Sequence, residues 1–191
     1  MKKLLIVMIL IQGIIQAQTP CPRWGYGKEG TLVYALNMKK NRVDIPAVYK
    51  KISITDFLKL PDDSTGDGTA YELTGGFVII AKKQGPESCN CKSPTDRDFH
   101  IVLVPDQKYS DSVGMYVIVE VSPRVKKMMN WSDQDIFDLK NKRVDFFGWK
   151  FADLEHKNMS LKSNPERKTC WRGTINELHP VLKFVVHPDG S

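Results

Sequence analysis

The chain has 191 residues, 41% hydrophobic and 26% charged, the composition of a globular protein long enough for one full core and an added segment. Its 28 basic and 22 acidic residues leave a formal charge of +6, too mild an excess for a dedicated nucleic-acid binder. After the first fifteen residues no run is apolar for the ~18 positions that a membrane helix needs.

Residues 1–17 read as a signal peptide. Lys2 and Lys3 begin it, Leu4 to Ile11 with Ile14 and Ile15 form its apolar stretch, and Ala17 is a small residue before a cut at Gln18. A lipid anchor on Cys21 is disfavoured, because Gln18-Thr19-Pro20 lacks the Leu-x-small-small lead. The 28 basic residues less Lys2 and Lys3 leave 26 against 22 acidic ones in the mature chain, which is expected to be secreted or periplasmic. Cys21, Cys89, Cys91 and Cys170 all outlast the cut, and an even count in an exported chain favours disulfides over free thiols or a metal site. Cys89-Asn90-Cys91 is too tight to bridge itself, so two bridges to Cys21 and Cys170 are expected, in either pairing.

Residues 18–69 form an N-terminal helical and extended segment. Pro20, Pro22, Gly25, Gly27 and Gly30 keep the lead-in irregular, and Thr31 caps a helix to Lys40 that Asn41 ends. Ser53 to Leu60 is either a strand running into a helical turn or a turn capped by Thr55. Pro61 to Thr69 reads as a linker. Residues 70–191 then turn to strands: Tyr71–Lys82 with Gly75-Gly76 as a bulge, Arg97–Val104, Met115–Val121, Arg143–Phe151, and Arg167–Glu177 with Val181–Val186 continuing or following. Val117, Val119 and Val121 share a face; Phe147, Trp149 and Phe151 share another, with at least one of Phe147 and Trp149 expected in the core. A helix capped by Ser132 runs to Leu139, and Pro123 is expected to stop the third strand. The succession β-β-β-α-β-β predicts a mainly β fold, a five-stranded OB-like Greek-key barrel. An SH3-like barrel or irregular sandwich is the runner-up.

Several segments resemble a family of exported bacterial proteins of unknown function with an OB-like domain. They are Leu36-Asn37 with Lys40-Asn41-Arg42, Gly85 to Cys91, Asp96 to Ile101, Glu120 to Arg124, Gly148 to His156, and Trp171 to Val181. The resemblance implies a fold and an export route and brings no activity. The family pattern ends in Trp-Glu-Ile-His-Pro where this chain has Asn176-Glu177-Leu178-His179-Pro180, so a stacking role for that ring does not carry over.

The chemistry-bearing residues are acids and histidines. Asp96, Asp98 and His100 are spaced two apart and point one way on a strand, with Glu120 on the neighbouring strand. Glu177 and His179 share a face, Glu155 and His156 sit in the loop after the fourth strand, and Arg124 follows the third. Asp98, His100, Glu177 and His179 are the candidate ligands for a divalent metal, and the wider set is a competent acid–base group. Arg97, Tyr116, Arg124, Arg143, Trp149 and Lys150 are the candidates for holding single-stranded nucleic acid. No nucleophile elbow, phosphate loop or dinucleotide fingerprint occurs. The expected function is an exported OB-like binding module for an oligonucleotide, oligosaccharide or protein. The alternative is a metal-dependent secreted hydrolase, such as a nuclease, and a purely structural polar network competes with both.

Overall fold

The computed structural model describes residues 20–188, and the signal peptide expected over residues 1–17 lies outside them. Thr31 caps α1 (Leu32–Lys40), its hydroxyl accepting from the Tyr34 amide, while Lys39 and Lys40 in the last turn suit the helix dipole. This helix buries Leu36, Asn37 and Lys40 rather than an apolar stripe. Side-chain amides hold it instead: Asn37 Nδ2 donates to the Trp24 carbonyl at 2.8 Å and Asn41 Nδ2 to the Cys89 carbonyl at 2.7 Å. The lead-in passes so close to Ser88 that a Cβ on Gly25 would lie 2.0 Å from the Ser88 carbonyl.

A disulfide joins Cys21 to Cys91 across 70 residues. The second expected bridge is absent, because Cys89 and Cys170 are buried in different surroundings and remain free. Cys89 Sγ faces the Glu87 and Asp98 carboxylates at 3.6 Å, whereas Cys170 Sγ faces the Asn158 and Asn164 carbonyls.

β1 (Lys50–Ser53) runs directly into α2 (Ile54–Lys59), and Ser53 rather than Thr55 is the cap. Residues 61–69, read as a linker, are stitched to the rest of the fold. Asp62 accepts from Ser160 at 3.0 Å, Ser163 at 2.7 Å and the Ile175 amide at 3.1 Å. Asp67 accepts from Lys39 at 2.8 Å, Lys150 at 3.2 Å and the Ala152 amide at 3.0 Å.

β2 (Ala70–Lys83) serves two barrel neighbours besides β1: its first half pairs antiparallel with β5 (Arg143–Ala152), its second with β3 (Phe99–Val104). Between Leu73 and Gly76 the register shifts, with Gly75 in the left-handed region at φ +63, and this bends the strand from one partner to the other. β3 pairs antiparallel with β4 (Val117–Val121), β4 parallel with β6 (Asn176–Val186), and β6 antiparallel with β5. The order β2-β3-β4-β6-β5, returning to β2, closes a five-stranded mixed barrel with β1 as an extra parallel strand, the expected OB-like architecture. Its fifth strand closes between the third and fourth, not against the first.

Two short helices fill the helical slot between β4 and β5. Pro123 does not merely stop β4: with Ser122 as cap it opens α3 (Pro123–Met128), where a missing amide costs nothing. Ser132 and Asp135 form a capping box for α4 (Asp133–Phe137). Residues 167–175, expected as strand, are loop. The Thr174 hydroxyl and Ile175 amide donate to Asp62, the Trp171 and Gly173 amides donate to the Met159 and Tyr116 carbonyls, and Arg172 bridges to Ser160, so no extended ladder is needed there. On β5 the core face is Val144 and Phe146, not Phe147 and Trp149. Phe147 packs edge-on to Tyr49 and Trp149 lies under Arg42, both outside the core. Ile101, Leu103, Val117, Val119, Val121, Leu178 and Val181 complete the barrel interior. Among the described residues no helix is long and apolar enough to cross a membrane.

Alkylation of the denatured, unreduced protein is expected to modify Cys89 and Cys170 and to leave Cys21 linked to Cys91. A peptide map joining Cys89 to Cys170 would contradict this arrangement.

Candidate functional site

Strand alternation builds the site. Ile101, Val119 and Leu178 point inward on β3, β4 and β6, so their neighbours His100, Glu120, Glu177 and His179 point outward on one face. His100 and Glu120 are register partners, and the parallel pairing of Ile118 with Glu177 and Val119 with Leu178 carries Glu120 alongside His179. This outer face is largely shielded from solvent. The loop before β3, the end of α1 and the segment Leu154–Met159 cover it, leaving His179 1% exposed, Glu177 1%, Asp98 0% and His100 3%.

The contacts form one connected network. His100 Nδ1 lies 2.9 Å from Glu120 Oε1 and 2.6 Å from Gln84 Nε2. His179 Nδ1 lies 3.1 Å from Glu120 Oε2 and 3.4 Å from Glu177 Oε1, and its Nε2 3.8 Å from Asp98 Oδ2. The Nδ1 contacts are short but poorly directed and the Nε2 contact is too long, so neither nitrogen of this fully buried ring makes a hydrogen bond. Arg172, with no exposed side-chain surface, donates to Glu177 at 2.8 Å and to Asp153 at 2.6 Å. Asp153 Oδ2 also accepts from His156 Nδ1 at 2.8 Å. Lys40 Nζ lies 3.1 Å from Glu87 and 3.8 Å from Glu155. A pocket of about 560 Å³ opens above His100 and Glu120, walled by Trp171, His156, Glu155 and Lys40. Trp171 stands between two imidazoles, 5.4 Å from the His100 ring and 5.7 Å from that of His156.

Burial and mutual charge set the protonation states. Burial opposes the His179 charge, but Glu120, Glu177 and Asp98 more than reverse that and lift its pKa to about 10. Burial would raise the Glu120 carboxyl, yet His179 and His100 hold it well below the ordinary value. Asp98 is lifted by burial to about 6, and Glu177 is raised by burial with the Glu120 and Asp153 charges behind it. Asp153 is held well down, against its burial, by His156 and Arg172; the same hydrogen bond raises His156. Burial works against the Lys40 ammonium, and Glu87 and Glu120 outweigh it.

The structure therefore brings Asp98, His100, Glu120, Glu177 and His179 together, with Glu155 and His156 at the pocket wall. Asp96 is not among them. It lies in an exposed loop, its amide bonded to Ser93 Oγ, beside a separate pocket near the Cys21–Cys91 bridge. Arg124 reaches the Cys21 and Pro22 carbonyls and ties down the N-terminal segment. Apart from Arg97, whose Nε makes no hydrogen bond, the nucleic-acid candidates are committed to the fold. Arg143 donates to the Gly75 carbonyl at 2.7 Å, and Lys150 is 3% exposed on Asp63 and Asp67. Trp149 Nε1 donates to the Asp44 carbonyl, Tyr116 donates to the Ser110 carbonyl, and Arg97 Nε is buried.

The metal-ligand set also changes. Asp98, Glu120 and His179 offer atoms all within 4.8 Å of one another, as do Glu87, Cys89 and Asp98. His100 and Glu177, expected as ligands, are instead engaged by Glu120 with Gln84 and by Arg172. Arg172, Asp153, Lys40, Glu87 and Trp171 are site residues that sequence reasoning misses. Each lies far along the chain from most of its partners; all five fall within the segments that carry the family resemblance, and Asp153, two residues before Glu155, and Glu87, two before Cys89, also carry a local hint.

No protein-family model matches the chain, and neither the curated proteins nor the solved structures provide a match.

A pH dependence arises from His179, which faces Glu120 on β4, Glu177 on β6, Asp98 before β3 and the Phe151 ring on β5. Its folded pKa is raised, so its stabilising contribution is complete below about 6.5 and is lost as pH rises through about 10. The protein is expected to lose thermal stability across that window, and His179→Gln is expected to flatten the loss. An unchanged slope in the variant would assign the effect elsewhere.

Proposed function

We propose that this protein is an exported, divalent-metal-dependent hydrolase, with Asp98, Glu120 and His179 as metal ligands and the adjoining pocket as the substrate site. One observation carries the reading: a fully buried imidazole, without a hydrogen bond at either nitrogen, is ringed by carboxylates. Two carboxylates and one imidazole suit a divalent ion and leave coordination positions open. Burying several carboxylates costs a fold several kcal/mol per ion, and this favours a working site over a stabilising one.

Asp98, Glu120 and His179 would hold the ion, which when bound would supply polarisation of a substrate oxygen and neutralisation of the charge developing on it. The chain's own groups would do the rest. Asp153 accepts from His156 Nδ1 and leaves Nε2 as the free nitrogen, ready to take a proton from water; Arg172 keeps Asp153 ionised and in place. Trp171 offers a flat wall for a base or sugar next to a bound phosphate, so the phosphodiester of an oligonucleotide is the substrate class that fits best. The Cys21–Cys91 bridge and the leader-like first residues support an oxidising, exported setting.

A binding module without turnover is the second reading. It is favoured by the depth of Asp98 and His179, neither of which lines the pocket, so an ion there would brace the pocket without touching its occupant.

Metal analysis after incubation with manganese, zinc or cobalt is expected to give one tightly held ion, weakened about 10-fold or more by Glu120→Gln or His179→Gln. His156→Ala should keep the ion but slow hydrolysis of a chromogenic phosphodiester by ~10²–10⁴. An ion bound with no phosphodiester turnover leaves the binding module; no ion bound at all removes the metal-dependent reading.

A further inference from the structure

Two potential ligand triads meet at Asp98: Asp98 with Glu120 and His179, and Asp98 with Glu87 and Cys89. Asp98 Oδ2 lies 3.8 Å from His179 Nε2 on one side and 3.6 Å from Cys89 Sγ on the other. Cys89 Sγ is in turn 3.6 Å from Glu87 Oε2. Two ligand groups sharing a bridging carboxylate is the layout by which two cations can clamp one reaction centre. The second group already has a cation beside it, since Lys40 Nζ lies 3.1 Å from that same Glu87 oxygen.

Lys40 is there by construction of the N-terminal segment. It ends α1, with its side chain 6% exposed, and α1 contributes little else to the interior. Asn37, through Ser88 Oγ and the Trp24 carbonyl, and Asn41, through the Cys89 carbonyl, set the helix end over the triad. The Cys21–Cys91 bridge and the Arg124 bond to the Pro22 carbonyl fasten the lead-in behind it. A long, flexible cation held in one place by this much covalent and hydrogen-bonded framework is preorganised, the condition under which a fixed charge helps a reaction.

We propose that Lys40 is a tethered cation standing in the second position of a two-cation centre: one divalent ion takes Asp98, Glu120 and His179, while the Lys40 ammonium neutralises the Glu87–Cys89–Asp98 group and keeps a second ion out. The proposal rests on the metal-dependent reading of the site. It extends that reading to stoichiometry and to the role of the N-terminal segment. An ion entering the second group would bond the Cys89 sulfur and release its thiol proton to solvent.

Cobalt(II) titration of the full mature chain tests this, because a cobalt–thiolate bond adds a charge-transfer band in the near-ultraviolet that oxygen and nitrogen ligands do not. The wild type is expected to take one cobalt with no such band. Lys40→Met is expected to take two and to show the band, and the further change Cys89→Ser to abolish the band and return the count to one. Lys40→Arg should behave as the wild type. One cobalt and no band in both the wild type and Lys40→Met overturns this proposal while leaving the metal reading standing. No cobalt in the wild type overturns that reading, and this one with it. Two ions or a thiolate band in the wild type overturns the exclusion. If Lys40→Met is unfolded without metal, cobalt should restore its circular dichroism by supplying the missing charge; a chain still unfolded in excess cobalt overturns the proposal too.

Discussion

The parallel pairing of β4 with β6 is the constraint on which the rest depends. It rests on two register pairs, Ile118 with Glu177 and Val119 with Leu178, yet it closes the barrel and sets which side chains meet. A parallel pair cannot be joined by a tight turn, so the chain between them must travel, and it does so through α3, α4, β5 and the loop to residue 175. With Val119 and Leu178 facing the core, strand alternation turns Glu120, Glu177 and His179 to the opposite face. A slip of one residue would drive those charges into the interior and expose the valines, which makes the register strongly specified.

The outer face so formed buries several charges, and taking charges out of water costs a fold unless they are compensated. Asp98, Glu120 and Glu177 are buried there with His179, and the fold answers with charges of its own: Arg172 between Glu177 and Asp153, and Lys40 beside Glu87. Each of these reaches the cluster from a different covering element. The covering elements are therefore not decoration on a barrel. Asp62 pins the loop that carries Arg172, and the Cys21–Cys91 bridge with Arg124 pins the segment that carries Lys40. Fully engaged networks of this kind are rigid, and partial loss of partners would leave uncompensated charge. His179, whose nitrogens have carboxylates near them but no directed bond, is the one described member of the cluster at which that engagement is incomplete at both polar atoms.

The barrel was legible in the residues. Alternating Val117, Val119 and Val121, the Gly75-Gly76 bulge and the order of strands and helix were enough for the five-stranded architecture, because each is a local pattern. The polar face of β3, β4 and β6 was also legible, since Asp98, His100, Glu120, Glu177 and His179 lie on or beside strands whose inward faces are apolar. Reading failed where local pattern competes with distant partners. Residues 167–175 looked like strand, but the Thr174 hydroxyl and the Ile175 amide donate to Asp62, over a hundred positions earlier, and the Trp171 and Gly173 amides donate to the Met159 and Tyr116 carbonyls. At least one of Phe147 and Trp149 looked like core, yet Val144 and Phe146 take the inward positions of β5 and strand alternation turns both of the others outward.

By itself, then, the sequence determined the period of each strand, the polarity of each face and the pool of acids, histidines and cysteines from which a site could be drawn. These are properties of neighbours along the chain, set by side-chain alternation and by caps and turns. Only the tertiary structure decided which members of the pool meet. It paired Cys21 with Cys91 and left Cys89 a thiol facing Asp98, sent Asp96 away, and brought Lys40, Asp153 and Arg172 in. Such meetings depend on strand register and loop placement across separations of tens of residues, and no local propensity encodes them.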